Sequence, residues 1–200
     1  MGARILTGYT GTRHVTPVDD AAVYRSIFGQ DSYITHDGNL CAGSMPSINE
    51  FSIASGQLSI QGVQVRVTAE TLSVDTCASN KARIDLVVAR WTHDSSSLID
   101  NVSLAVLKGV EVASGNTPIA PSINEGSIDE GATAVDFPLY QITMRGSTVT
   151  FEQLADVLPL SIDELGNGLL ELDTDAVAGT TDGDLYAAIT ALGWESDVIV

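Results

Sequence analysis

The feature that most constrains the fold is a stretch, residues 49–109, in which apolar and polar residues alternate. A period of two places successive side chains on opposite faces of a β-strand, so this stretch predicts strands rather than helices. The alternation shifts register once, at Gly62, and a single glycine at such a break predicts a bulge or a tight bend. The alternating apolar residues in the first part of the stretch are Leu58, Ile60, Val63, Val65, Val67, Leu72 and Val74.

The run RIDLVVARW, residues 83–91, predicts a central strand that is buried on both faces for part of its length. HDSSS then predicts a loop, and residues 98–108 predict a second strand, of which residues 102–108 form a hairpin with residues 84–91. Arg83 and Asp85 are two residues apart and share one face, where we expect an exposed or half-buried ion pair with a neighbouring strand. The opposite face is expected to be filled by Ile84, Leu86 and Val88.

Two more strands are predicted at residues 137–144 and 148–151, with a turn at Gly146 and Ser147 between them. Residues 112–131 are rich in Pro, Ser, Asn and Gly and predict a long excursion across the surface. Short strands separated by turn signals are typical of sandwiches and barrels. The predicted fold class is therefore all-β, mainly an antiparallel β-sandwich or barrel-like fold, with a short N-terminal helix and a small helical C-terminal appendage.

The N-terminal helix is predicted over residues 20–28, with Asp19 or Asp20 as its cap and Gly29 at its end. Its apolar face is expected to pack into the core. Residues 152–157 predict a short helix or a turn before Pro159. The residues of that N-terminal apolar face are Val23, Ile27 and Phe28.

A change in composition predicts two parts, a β-rich body of residues 1–160 and an acidic appendage of residues 161–200. The appendage contains nine acidic residues and no Lys or Arg. It nevertheless contains DLYAAITALG, which predicts a helix capped by Asp182 or Asp184. A merely disordered tail seldom has such an apolar pattern, so we expect the appendage to pack on the body or on a neighbouring subunit.

The formal net charge of −17 argues against a nucleic-acid partner and against an anionic membrane surface, because both attract clustered Lys and Arg. No stretch approaches the ~18 consecutive apolar residues of a transmembrane helix. The N-terminal residues lack the apolar region of a signal peptide, which predicts synthesis in a cytoplasm. Cys41 and Cys77 have no metal-binding spacing; two free thiols are the favoured interpretation, and a disulfide is the alternative.

No catalytic constellation accompanies the strands. His14, His36 and His93 form no metal-binding pattern, and the GxSxG and phosphate-loop motifs are absent. His93 followed by Asp94 is compatible with a base and its orienting carboxylate, but a surface loop explains it equally well. His36-Asp37-Gly38 is interpreted as a turn. The carboxylate pairs Asp19/Asp20 and Asp129/Glu130 are interpreted as solvated caps or turns, so no enzymatic activity and no cofactor are expected.

Two sets of residues are candidates for binding. Four aspartates have oxygen ligands at the short spacing that suits Ca²⁺, although the twelve-residue calcium loop with its closing Glu is absent, so capping and solvation are the favoured explanation. Three aromatic residues are candidates for an interface or a glycan contact, and among them Trp91 is expected in the core or at a sheet edge. The aspartates are Asp173, Asp175, Asp182 and Asp184, and the aromatic residues are Trp194, Tyr186 and Trp91.

Several phrases occur in a suggestive order: DDAAVYRSIFGQDSYI, FSIASGQLSIQGVQVRV, KARIDLVVARW with SLAVLKG, and PLYQITMRGSTVTFEQLADV. Together they cover residues 18–160. In this order they resemble a module of tail and baseplate proteins from phages and prophages of Gram-positive bacteria. The resemblance implies a β-sandwich-like virion module similar to upper-baseplate or receptor-binding-protein attachment domains, without a catalytic motif.

The same resemblance implies a homo-oligomer, a trimer or a hexamer, that is made in the bacterial cytoplasm and then located in the virion tail. Its expected partners are other phage tail and baseplate proteins. Three alternatives stay open: a carbohydrate-binding module that contacts a host surface glycan, a hydrolase of cell-wall or capsular glycan, and a domesticated prophage protein encoded by the host. The acidic appendage departs from what the resemblance implies.

Overall fold

The computed structural model describes residues 16–158. The chain divides into two units, Met1–Leu158 and Pro159–Val200, and every described residue belongs to the first. The described elements are one helix and eleven strands: α1 (Pro17–Phe28), β1 (Tyr33–Gly38), β2 (Gly43–Ser47), β3 (Glu50–Ile53), β4 (Gly56–Ile60), β5 (Val63–Val67), β6 (Glu70–Ser73), β7 (Lys81–Asp94), β8 (Ile99–Leu107), β9 (Val112–Ala113), β10 (Ala134–Arg145) and β11 (Thr148–Gln153).

The named strands pair antiparallel in three sheets. The largest sheet has the order β11-β10-β7-β8, with β9 paired to β7, and the two smaller sheets have the orders β1-β4-β5 and β2-β3-β6. Buried apolar residues from all three sheets form one core. The prediction of a mainly antiparallel, sandwich-like β fold with a short N-terminal helix is therefore confirmed. The predicted C-terminal helix lies outside the described residues.

The predicted central hairpin is confirmed. β7 and β8 pair from Leu86 opposite Leu107 to Asp94 opposite Ile99. Alternate side chains along both strands reach the common core, as a period of two requires. These core-facing residues are Val87, Ala89 and Trp91 on β7 and Leu104 and Val106 on β8.

The second face of β7 is also covered, as predicted for a central strand. Leu86 and Val88 are buried there, although they do not belong to the core shared by the three sheets. The long segment after β9 crosses this face: the backbone N–H of Asn124 donates to Asp136 Oδ2 at 2.8 Å, and the backbone N–H of Asp136 donates to Asn124 O at 2.9 Å. The prediction of a surface excursion over residues 112–131 is thus confirmed, apart from the two residues of β9.

The expectation of an exposed or half-buried ion pair with a neighbouring strand is wrong. Arg83 and Asp85 pair with each other within β7, and their side chains are 0% and 1% exposed. Arg83 Nε and Nη2 donate to the two carboxylate oxygens of Asp85 at 2.8 and 2.9 Å. Arg83 Nη1 also donates to Glu111 at 3.0 Å, and Nη2 donates to the backbone carbonyl of Asp75 at 2.6 Å. The pair is buried because the segments containing Asp75 and Glu111 close over it, and the backbone N–H of Gly109 donates to Asp85 at 2.9 Å.

The helix prediction was wrong in its start and its buried face. Thr16, rather than Asp19 or Asp20, is the N-cap: Thr16 Oγ1 accepts from Asp19 N at 3.3 Å, and Thr16 N donates to Asp19 Oδ2 at 3.0 Å. This reciprocal capping box fixes the first turn. Ile27 is exposed, and Ala21 is buried instead because it faces the turn between β4 and β5.

The predicted helix or turn at residues 152–157 is replaced by extended chain. β11 runs to Gln153, because pairing with β10 continues as far as Tyr140 opposite Gln153. The backbone N–H groups of Leu154 and Ala155 then both donate to Leu139 O, at 2.9 and 3.3 Å. Residue 157 makes an isolated parallel bridge with β1.

Candidate functional site

A cleft of about 530 Å³ opens beside α1. Four parts of the fold line it: residues 17–25 of α1, the turn between β4 and β5, the end of the β7–β8 hairpin, and residues 128–132. Its walls are mainly apolar, with a few polar side chains among them. A concave, mostly apolar surface with a few convergent polar groups is the usual form of a binding site.

The turn between β4 and β5 sets the distance between α1 and the sheet. Gln61 and Gly62 both have positive φ, 48° and 90°, as a two-residue type I′ hairpin turn requires. A Cβ atom on Gly62 would lie 2.3 Å from the backbone oxygen of Ala21. The predicted tight bend at Gly62 is therefore confirmed, and the glycine also allows the helix to contact the turn.

Polar contacts connect the same turn to α1 and to the opposite wall. Arg25 Nη1 donates to Gln61 O at 3.2 Å, and Arg25 Nη2 is paired with Asp129. The side chain of Gln61 donates to Gly126 O at 2.7 Å and accepts from Ile128 N at 2.8 Å. These bonds join three walls of the cleft, so its shape is fixed by the fold.

The end of the β7–β8 hairpin forms another wall. The rings of Trp91 and His93 stack, with centroids 6.2 Å apart and an interplanar angle of 15°. His93 Nδ1 lies 2.7 Å from Asp100 Oδ1, because these two residues are register partners across the hairpin. The Asp94 carboxylate instead accepts hydrogen bonds from Ser96 and Ser97, which hold the pKa of that carboxyl well below its usual range.

The His93–Asp100 pair orients an imidazole, but nucleophilic chemistry also needs a hydroxyl or thiol within hydrogen-bond reach of the base. Among residues 16–158, His93 has Asp100 as its only side-chain hydrogen-bond partner. Trp91 is only 3% exposed, and its Nε1 has no hydrogen-bond partner among these residues. The hairpin end thus contributes an oriented imidazole, a carboxylate and a largely buried indole to the cleft wall.

The charged side chains on the walls of the cleft are mainly negative. Asp20 and Asp100 lie on its walls, and the cation among the lining residues, Arg25, is paired with Asp129. Among the described residues that line the cleft, Arg25 is therefore the only Lys or Arg, and its charge is already matched by Asp129. A ligand with apolar groups and positive charge fits this balance.

The structure places some of the sequence candidates in the fold. Trp91 lies in the cleft wall, Asp19 is part of the capping box, and Asp129 is paired with Arg25. The interpretation of His36-Asp37-Gly38 as a turn is wrong, because these residues end β1. Gly38 is the register partner of Gly56 on β4, and the register is irregular between Thr35 and Gly38. The remaining candidates, Asp173, Asp175, Asp182, Asp184, Tyr186 and Trp194, lie outside the described residues.

Both cysteines are free. Cys41 is buried and Cys77 is partly buried, as the favoured interpretation expected. Burial raises the pKa of the Cys41 thiol to about 11. Residues 16–158 contain no group of three or more His, Cys, Asp or Glu side chains that could hold a metal ion. They also contain no helix that is long and apolar enough to cross a membrane.

No model of a known protein family matches this chain, and no curated protein matches it.

Sequence reasoning missed the cleft. One available signal was Leu98, a large apolar residue directly after the polar run HDSSS. In the structure Leu98 is 77% exposed at the hairpin turn and has a φ of 57°, a conformation that favours Gly, Asn or Asp. Leu98 thus adds an exposed apolar side chain to the wall of the cleft.

Proposed function

We propose that this protein is a non-enzymatic structural component of a phage tail or baseplate, assembled as a homo-oligomer that holds parts of the host-adsorption apparatus. The phrases that resemble tail and baseplate modules coincide with α1, β3–β5, β7, β8, β10 and β11. One β-sandwich-like body contains all of them, which supports the proposal.

The observation that carries the proposal is exposed apolar side chains at both outer edges of the largest sheet. β8 and β11 are its outer strands. Ile99 on β8 is 54% exposed, and Phe151 on β11 and Leu154 just after it are 41% and 42% exposed. Outer strands present backbone groups that pair readily with another chain, and exposed apolar groups mark interaction surfaces. Assembly of copies through these edges would cover both.

The proposal is tested on phage particles from an induced culture of the strain that carries the gene. Gradient-purified particles are examined by mass spectrometry and by immunogold electron microscopy with an antibody against this chain. We expect the chain in the particles and the gold at the tail end. A chain that stays in the cell fraction while other virion proteins enter the particles would contradict the proposal.

Edge variants test the assembly surface. Ile99→Lys and Leu154→Lys place a charge at the two outer edges and are expected to reduce the mass of the oligomer measured by light scattering. Ile119→Lys is the matched control, because Ile119 is 80% exposed in the segment between β9 and β10 and belongs to neither outer strand. Equal loss of mass in all three variants would show that added charge, and not the edge, is responsible.

Direct adsorption to a host surface glycan is the second candidate function, and the cleft with Tyr24 exposed at its rim is the observation that favours it. Trp91 contributes little to this alternative, because an indole that is 3% exposed offers almost no face to a sugar ring. A glycan array separates the two functions. The structural proposal expects no binding at millimolar sugar, and a specific hit would favour adsorption.

A further inference from the structure

Three apolar side chains on the walls of the cleft are exposed to solvent. Val18 and Tyr24 on α1 are 54% and 40% exposed, and Leu98 on the facing hairpin turn is 77% exposed. Removing such apolar groups from water is favourable. Because the three line one concavity, a single apolar segment can cover them together.

The charge of the cleft limits what this segment can be. The carboxylates of Asp20 and Asp100 lie on its walls, and Arg25 is already paired with Asp129. An occupant with a positive charge beside its apolar groups is therefore preferred over an acidic one. The chain as a whole is strongly acidic, so few of its own segments meet this requirement.

Residues 1–15 combine positive charge with apolar side chains, as the cleft requires. They contain Arg4 and Arg13, two of the nine basic residues, and none of the 26 acidic residues. They also contain the apolar residues Ile5 and Leu6. The segment joins the described part of the chain at Thr16, directly before Pro17 and Val18, the first residues of α1 that line the cleft. Fifteen extended residues span up to ~50 Å, which is more than the cleft requires.

We propose that residues 1–15 dock in the cleft beside α1 of their own chain. Apolar side chains of the segment cover Val18, Tyr24 and Leu98, and its arginines lie near Asp20 and Asp100. The surface that α1 and the β7–β8 hairpin leave exposed is thus an intramolecular binding site for a basic, apolar segment. This inference is independent of the role in a phage tail.

Limited proteolysis of the full chain tests the proposal, because trypsin cleaves after Arg13 only when the segment leaves the cleft. Leu6→Asp on the segment and Leu98→Asp on the cleft wall should each accelerate this cleavage by about tenfold or more. Thr7→Asp and Ser95→Asp are the matched controls and should change it less than about twofold. Each control adds the same charge at a polar residue: Thr7 is adjacent to Leu6, and Ser95 lies three residues before Leu98.

The double variant Leu6→Asp with Leu98→Asp shows whether the two residues share a contact. If Leu6 and Leu98 contact each other, the double variant is cleaved no faster than the faster of the two single variants, because either substitution alone already removes the contact. Circular dichroism confirms that the variants fold, which the 77% exposure of Leu98 favours. Wild-type cleavage as fast as that of Leu98→Asp would overturn the proposal. Protection that disappears on dilution would also overturn it, because the segment would then occupy the cleft of a second copy.

Discussion

Removing the carboxylate of Asp85 is expected to destabilise the protein strongly. In Asp85→Asn the guanidinium of Arg83 stays fully buried but loses the charged partner to which it makes two hydrogen bonds, at 2.8 and 2.9 Å. Glu111 remains 3.0 Å away, but its side chain is 32% exposed and binds only one nitrogen. The variant therefore leaves a buried charge with incomplete compensation.

Breaking a buried ion pair by removing one partner costs about 3–5 kcal/mol. For a chain of this length each kcal/mol lowers the unfolding midpoint by about 2–4 °C, so Asp85→Asn should lower it by about 6–20 °C. Replacing both residues, Arg83→Met with Asp85→Leu, removes both charges. The double variant should therefore lose less than the sum of the two single variants, with a coupling of about 1–3 kcal/mol.

Urea unfolding measures the differences in free energy, and thermal unfolding measures the shift of the midpoint temperature; both are followed by circular dichroism. Lys108→Ala is the control, because it breaks the ion pair of Lys108 with Asp75, whose side chains are 53% and 68% exposed. Solvated pairs contribute little, so the unfolding midpoint of this variant should hardly change. The reasoning would be refuted if Asp85→Asn cost no more than Lys108→Ala, or if the double variant lost the full sum of the single variants.

Three further predictions follow from the described residues. Gly62→Ala should destabilise the protein by about 1–3 kcal/mol in urea unfolding, because it strains a positive φ and forces α1 outward, whereas Gly115→Ala, with open space around it, should be neutral. A thiol reagent at pH 8 should label Cys77 well before Cys41, since Cys41 is fully buried and its pKa is about 11; equal rates would contradict the assigned burial. Burial alone would raise the pKa of Asp136, but hydrogen bonds from Arg90 and Asn124 outweigh it and hold that pKa below its ordinary value. Its contribution to stability is therefore present above pH ~4 and is lost as the pH falls further, so the Asp136→Asn variant should lose less stability between pH 5 and pH 2 than the wild type.

The alternation of apolar and polar residues was sufficient to predict the strands and the central hairpin. It specifies which side chains share a face, because the period of a strand is two. It does not specify which face meets the core when both faces are covered. For this reason Arg83 and Asp85 were expected near the surface, although they lie on the same face of β7 as Val87 and Ala89 of the core.

The end of α1 was predicted correctly because Gly29 follows its last residue, but its cap was not. Aspartate is a common cap residue, so Asp19 or Asp20 was expected as the cap. The observed cap is Thr16, and Asp19, three residues later, completes its capping box. The cleft could not be predicted, because it depends on Gly62 allowing α1 to approach and on the register that brings His93 to Asp100. Such long-range contacts leave no local pattern in the sequence.

The measurement that tests the central claim most directly is the molar mass of the full chain in solution, by light scattering on a size-exclusion column. The account predicts a trimer or hexamer of the 21.0 kDa chain, as expected for a part built around a rotational axis. A mass of one chain across the concentration range, unchanged in Ile99→Lys and Leu154→Lys, would contradict an assembly through the edges of the largest sheet.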